Sequence, residues 1–253
     1  MAGTESINFD RIADRYDATR GGLGRGVQLA ADLAPLLDPA EPVFEVGVGT
    51  GVISLALRDH GFSTIGVDIS EQMLARARER LGARLVQGDA MQLPVASASL
   101  GQMLSVWVLH LVGDVRTVMD EILRCLRPGG RYLVMDGRPG PEINGAVDEI
   151  WRELERALGR ESFSGRIRGF ADHAAAAGLH VGDIVETGPY EVFQSAAQIA
   201  DNIEGRTNSW MWDIPDDLWN RAARGAIECL RALPDATKPT ARHDYQEILV
   251  LQR

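Results

Sequence analysis

The sequence predicts an α/β fold: a seven-stranded, mostly parallel sheet with an antiparallel strand at its edge, helices on both faces and a helical cap. Three observations carry this. Apolar strand-like runs alternate with helix-like segments through the middle of the chain, the pattern of a parallel sheet covered on both sides. The first run, "VFEVGVGTGVI" at residues 43–53, breaks into glycines on alternate positions and resumes as a helix. The chain then closes on two strand-like segments with no helix-length parallel crossover of obvious form between them, which fits an antiparallel edge.

Strands are expected at about 42–46, 63–67, 83–87, 99–105 and 130–136, with two more near 181–187 and 245–251. Residues 1–38 read as two amphipathic segments ahead of the first strand. "SEQMLARARERL" begins at a good N-cap, Ser70, and places Met73, Leu74, Ala77 and Leu81 on one face. "DVRTVMDEILRCLRPGG" lines up Val118, Ile122, Cys125 and Leu126 and is expected to stop at Pro128 and Gly129. Cys125 therefore reads as a small core residue rather than a nucleophile. "GAVDEIWRELERAL" and "RIRGFADHAAAAGL" are expected helices, and residues 195–232 look helical again. The organisation expected is one domain over 1–253: a helical cap at 1–38, a core at 39–137, and a C-terminal half at 138–253 carrying a helical insertion at about 195–232.

Composition excludes several classes. A hydrophobic fraction of 45% and a charged fraction of 25% are those of an ordinary globular protein, and no apolar run nears the roughly 20 residues of a membrane span. The formal net charge of −10 speaks against a nucleic-acid partner, and the arginines are scattered. The N-terminus carries several carboxylates and lacks the zones of a secretory signal, so a cytoplasmic location is expected. The two cysteines, Cys125 and Cys229, have no metal-type spacing.

A glycine turn from strand to helix aims backbone N–H groups at whatever lies above the strand end. Here the spacing is G-x-G-x-G at Gly47, Gly49 and Gly51, and Val52 stands where a dinucleotide fingerprint has its third glycine. No Lys-Ser or Lys-Thr pair follows, so a phosphate loop of the Walker type is excluded. Glu45 ends the first strand, and a carboxylate there repels a pyrophosphate but not an ammonium or sulfonium. Asp68 ends the second strand about 20 residues after the first glycine, where such folds bind ribose hydroxyls. Asp89 ends the third.

In order, "FEVGVGTG", "GVDIS", "GDAMQLP", "SVWVLHLV" and "LRPGGRYLVMD" resemble the class I S-adenosylmethionine-dependent methyltransferases, in particular the group of ubiquinone and menaquinone biosynthesis enzymes and natural-product methyltransferases. "FDRIADRYDATRG" is similar to that family's N-terminal helix and turn. The resemblance implies a Rossmann-like sheet, S-adenosylmethionine as cofactor with S-adenosylhomocysteine as product, and a small-molecule methyl acceptor. By position it implies that Gly47, Gly49 and Gly51 lie under the methionine end with Glu45 beside it. Asp68 would then bind ribose, Ile69 would pack on adenine, and Asp89 and the backbone of Ala90 would meet the adenine edge with Met91 covering the ring. Ser105 would offer its carbonyl to the cofactor amino group, with Tyr16 and Arg20 closing over it and Arg20 partnering its carboxylate.

On the acceptor side the resemblance points to His110 and Trp107 as pocket wall, with His110 the candidate general base and, through it, oxygen favoured over nitrogen or carbon. "RTNSWMWDIPDDLW" lies in the insertion that commonly covers the acceptor, which would make Trp210 and Trp212 a lid wall and Arg206 an orienting cation. Anchoring of the inserted helices is an equal reading of the tryptophans. No Asn/Asp-Pro-Pro-Tyr/Phe motif, Pro-Cys nucleophile or paired acids follow the fourth strand, so nucleobase chemistry and a catalytic metal are not expected. The alternatives are an NAD(P)-dependent oxidoreductase, which Val52, Glu45 and the lack of a Tyr-x-x-x-Lys pair oppose, and a non-catalytic binding module of the same fold.

Overall fold

A computed structural model describes residues 9–11, 13, 16, 17, 21–136, 145–159, 166–207, 211, 212 and 214–253. The chain folds into two compact units. The first holds residues 1–137, 166–187 and 247–253, and the second 138–165 and 188–246.

The first unit is built on β1 (Val43–Val46), β2 (Thr64–Asp68), β3 (Leu85–Gln87), β4 (Leu100–Val106) and β5 (Leu126–Met135). Helix α1 (Gly22–Leu33) precedes β1, α2 (Val52–Asp59) and α3 (Glu71–Leu81) link β1 to β2 and β2 to β3, and α4 (Val115–Cys125) links β4 to β5. Helix α6 (Arg166–Ala177) leads into β6 (His180–Gln194), and β7 (Thr240–Gln252) closes the chain. The strand order is β3-β2-β1-β4-β5-β7-β6. Pairs from β3 through β5 are parallel, and β7 runs antiparallel to β5. The antiparallel strand thus lies one place inside the edge, with β6 outermost. The chain moves outward from β1 through β2 to β3 and then returns to β4, so the switch in direction lies between β1 and β4. Ligands of open α/β sheets bind above the carboxyl ends of strands at such a point.

Burial explains the local choices. All four residues of β1 are buried, as expected for a strand with neighbours on both sides and helices on both faces. Ser70 caps α3 by accepting from the Met73 N–H, and Met73, Leu74, Ala77 and Leu81 are the buried residues of that helix. The main core joins Phe44, Met103, Tyr132 and Val134 of the sheet to Val118, Ile122 and Cys125 of α4 and to Ile167, Phe170 and Ala174 of α6. Cys125 is fully buried there, a small apolar residue in use.

One boundary differs from expectation. Helix α4 ends at Cys125, and Leu126 already opens β5, opposite Leu100 of β4. Pro128 and Gly129 then fall inside a register irregularity of the strand rather than ending a helix. The physical reason is Leu126 itself, buried in the core with extended backbone, while the Gly129 N–H is met by the Arg253 carbonyl.

In the second unit, α5 (Ala146–Ala157), α7 (Ala196–Glu204) and α8 (Asp216–Ala232) surround a separate cluster of Leu154, Ile199, Ile203, Met211, Trp219 and Leu230. Among the described residues, the expected helical stretch 195–232 holds two α-helices, the first opened by a capping box between Ser195 and Gln198.

Gly66 of β2 faces the turn after β1 at close quarters: a Cβ added there would lie 2.7 Å from both Cβ and Cγ2 of the buried Val48. Gly66→Ala is expected to destabilise the protein by about 1–3 kcal/mol through overpacking, read by urea denaturation. A variant as stable as the parent would show that Val48 moves aside freely.

Candidate functional site

The turn from β1 to α2 is closed on its protein sides and open at its middle. Gly47, Gly49 and Gly51 have φ of 72°, 55° and 80°, a region that L side chains enter at a cost. A Cβ on Gly47 would collide with Val108, and one on Gly51 would come within 2.8 Å of Leu81, whereas one on Gly49 would meet nothing within 4 Å. The turn is stitched to β2 by the N–H groups of Gly47 and Val48, both donating to the Val67 carbonyl.

Two carboxylates flank this opening. The Glu45 side chain is buried and accepts a short hydrogen bond from the Ser54 hydroxyl of α2. Burial pushes its carboxyl up to about 8; the Ser54 bond opposes the shift, and the negative charge of Asp68 adds to it. Asp68 accepts from the Gly49 N–H at 2.8 Å and from the Ser70 N–H at 2.9 Å. Burial raises its carboxyl too, against the bonds from the Ser70, Gly49 and Ile69 backbone. Among the described residues neither carboxylate has a basic partner. Such a cradle suits a cationic or hydrogen-bond-donating ligand and disfavours a pyrophosphate.

The other expected cofactor positions sit around it. Ile69, just past β2, is 48% exposed, an apolar side chain left open beside Asp68. Asp89 spends one oxygen on the Met91 N–H at 2.8 Å, and its backbone carbonyl accepts from Gln92. Ala90 and Met91 are half-buried against the main core. Ser105 is buried in β4 in register with Val46 and Val134, its hydroxyl 2.6 Å from that of Tyr132. Tyr16 stands edge-on to Phe9 with ring centroids 6.1 Å apart. Arg20 and Trp210 lie outside the described residues.

On the acceptor side, Trp107 follows β4 with a φ of 54° and carries the Arg25 guanidinium 3.7 Å above its ring centroid. His110 lies on the short 3-10 turn Leu109–Leu111 and is half-buried. Its Nδ1 is 2.9 Å from Asp136 Oδ2, and its backbone N–H donates to the same carboxylate at 3.3 Å. In the second unit Arg206 is ion-paired with Asp216 at 3.0 Å and lies 5.0 Å above the Trp219 ring. The Trp212 indole N–H donates to the Arg206 carbonyl at 2.7 Å. Arg206 and Trp212 are thus tied to their own unit by several contacts.

Several participants went unforeseen. Asp10 accepts from the Ser70 hydroxyl and the Gln72 N–H, and Asp17 accepts from the Thr50 hydroxyl at 2.6 Å and pairs with Arg80. These join the N-terminal segment to the loops after β2 and β1. Nothing in local pattern singles out Arg25, Asp10 or Asp17. Asp136 had a signal, since it directly follows β5 and so lies, like Glu45, Asp68 and Asp89, near the carboxyl end of a strand.

Residues 44–134 match the model of a family described as a methyltransferase domain. A demethylmenaquinone methyltransferase of Thermus thermophilus is 30% identical over 156 residues, covering 57% of this chain and 70% of that protein. The chain belongs to the class I S-adenosylmethionine-dependent methyltransferases. A second demethylmenaquinone methyltransferase, from Beutenbergia cavernae, is 35% identical over 133 residues, 51% of this chain and 55% of that one. The chain spans about half the length of several such curated relatives, 55% and 58% in two of them. In fold, this chain is similar to phosphoethanolamine N-methyltransferase 2 of Haemonchus contortus solved with S-adenosyl-L-methionine, with a TM-score of 0.57 at 19% identity over 99% of this chain and 60% of that one.

S-adenosylmethionine is the cofactor of this family, and the residues present fit it. Two acids without basic partners among the described residues suit a ligand that brings both a cation and hydroxyl donors, and Gly49 leaves space beside them. The buried Glu45 also sets a pH dependence for the protein without cofactor. Its carboxyl, ordinarily at 4.5, rises to about 8 in the fold, so between these values the native state keeps a proton that the unfolded chain has released. Stability therefore falls as pH rises through that window. Glu45→Gln should melt above the parent at pH near 8 and show little difference near pH 4.5. Parallel melting curves across this range would contradict the assignment.

Proposed function

We propose that this chain transfers the methyl group of S-adenosylmethionine to an oxygen of a small, partly apolar metabolite by in-line displacement. The observation that carries the cofactor half of this reading is a pair of acids, the buried Glu45 and the half-buried Asp68, set around an open glycine with no basic residue among those described bonded to either. Bound there, the cofactor supplies a methyl already activated by a positive sulfur.

The chain's own residues then orient and shield. Asp68 has acceptor capacity beyond its backbone bonds and is assigned in this reading to the ribose hydroxyls. Asp89 offers its second oxygen to the adenine amino group, with Ala90 at the ring edge and Ile69 and Met91 against its faces. Glu45 meets the methionine end over Gly47, Gly49 and Gly51, Ser105 offers its backbone carbonyl to the amino group, and Tyr16 lies on the covering segment. Trp107 and His110 form the acceptor wall directly after β4, where His110 is positioned to take a hydroxyl proton. Within the insertion at about 195–232, the Trp212 indole N–H donates to the Arg206 carbonyl and Arg206 pairs with Asp216.

Calorimetric titration with S-adenosylmethionine, S-adenosylhomocysteine, NADH and NADPH tests this directly. Only the first two should bind; binding of a nicotinamide cofactor, or of neither pair, would overturn the reading. Asp68→Ala should weaken S-adenosylmethionine about 100-fold or more, as two hydrogen bonds to a charged acceptor are lost. An unchanged affinity would remove Asp68 from the site.

A further inference from the structure

Carboxylates lie at or near the carboxyl ends of four of the five parallel strands, β1, β2, β3 and β5, and the reading above employs three. The fourth, Asp136, follows β5 and is 2% exposed. Among the described residues its hydrogen-bond partners all belong to His110: the backbone N–H at 3.3 Å, and ring Nδ1 at 2.9 Å from Oδ2 and 3.1 Å from Oδ1. No arginine or lysine of the described residues pairs with it. A carboxylate this deep is costly without partners, so the two bonds from His110 are what hold it. A ring nitrogen facing a carboxylate carries the proton, which leaves the lone pair of a neutral imidazole on Nε2. The Asp136 side chain is 3% exposed and that of His110 16%, so the ring's open edge lies away from its partner. The neighbouring hydroxyl does not compete as a base. Tyr132 is bonded to Ser105, and burial, aided by the negative charge of Asp136, holds its phenol well above the ordinary range.

We infer that Asp136 is a positioning residue that fixes His110 with Nδ1 protonated and Nε2 free, and that this pair fits the site to neutral hydroxyl acceptors (phenols, enols or alcohols). The inference rests on the proposed methyl transfer with His110 at the acceptor. In the step it describes, the acceptor oxygen bonds to the methyl carbon as the carbon–sulfur bond breaks, its electron pair staying on sulfur. The hydroxyl proton passes to His110 Nε2. Asp136 stabilises the imidazolium that results, and the proton leaves to solvent after the product. An acceptor that is already an anion needs neither residue for proton transfer.

Nitrogen-15 NMR of the histidine-labelled full chain without cofactor reads the tautomer, with Gln in place of His110 (His110→Gln) identifying its signals. The expected result is Nδ1–H in the parent and a change of tautomer in Asp136→Asn; Nε2–H in the parent would overturn the inference, and this holds even if a variant fails to fold. Turnover is read on a phenol series from unsubstituted phenol to 4-nitrophenol at a pH where only the latter is ionised. Asp136→Asn should lower kcat for phenol by about 10²–10⁴-fold with KM and S-adenosylmethionine affinity unchanged, the range of lost acid–base assistance. On ionised 4-nitrophenol the loss should shrink to less than about tenfold, since no proton has to be removed. Equal losses on both phenols would mean a structural role. Impairment of His110→Gln with Asp136→Asn unaffected would refute positioning alone, whereas turnover untouched in both variants would refute the base as well. If no phenol is turned over, the parent tautomer decides.

Discussion

The turn between β1 and α2 is where the packing of the first unit leaves least freedom. Val108 presses on Gly47, Leu81 and Ala77 of α3 on Gly51, and Val48 on Gly66, so side chains are excluded from three directions. Helix α1 adds a fourth constraint, because a Cβ on Gly26 would come within 2.7 Å of the Val52 carbonyl. A loop held this tightly presents its backbone in one geometry, with room left over Gly49. The polar contacts reinforce that choice. Asp68 reaches the Gly49 N–H from β2, Arg80 reaches the Thr50 carbonyl from α3, and Asp17 reaches the Thr50 hydroxyl from the N-terminal segment. Preorganisation of this kind moves the cost of shaping a binding site into folding, so that it is not met again with each ligand.

The electrostatics of the crevice follow from that packing. Glu45 is buried and Asp68 half-buried beside the ordered turn, and among the described residues each is met by neutral donors rather than by a cation. Their charge is consequently expensive, and in the proposed reading the cofactor's positive methionine end offsets it at Glu45 while ribose hydroxyls donate to Asp68. Farther along the sheet, Asp136 shows the contrasting solution: a buried acid given an ionisable partner from the protein itself.

The order of elements and the cofactor side were legible because both depend on local spacing. Alternating strands and helices, glycines at fixed offsets and acids at strand ends are written in consecutive residues. The α4–β5 junction was misplaced because Pro128 and Gly129 usually end helices, and only the sheet partner of Leu126 reveals that the strand has already begun. Arg25, Asp10 and Asp17 were invisible for a related reason. Their partners, Trp107, Ser70 and Thr50, lie tens of residues away, and no periodicity records such pairings. Arg206 illustrates a subtler limit. An arginine beside tryptophans reads as an open recognition element, yet its cation is already occupied by Asp216 and by the ring of Trp219.

Two of the apolar clusters are drawn from different units, and the boundary between those units falls inside β6 and β7. Every residue of the glycine turn and of the strand-end acids belongs to the first unit, while the Trp219 cluster draws only on the second. In evolutionary terms this is a division of labour with separate mutational tolerances. Substitutions that reshape the Trp219 cluster change its volume without touching a residue of the turn, so a lineage can diversify there while conserving its cofactor chemistry. The same separation makes segments 138–165 and 188–246 natural units of exchange for building chimeras.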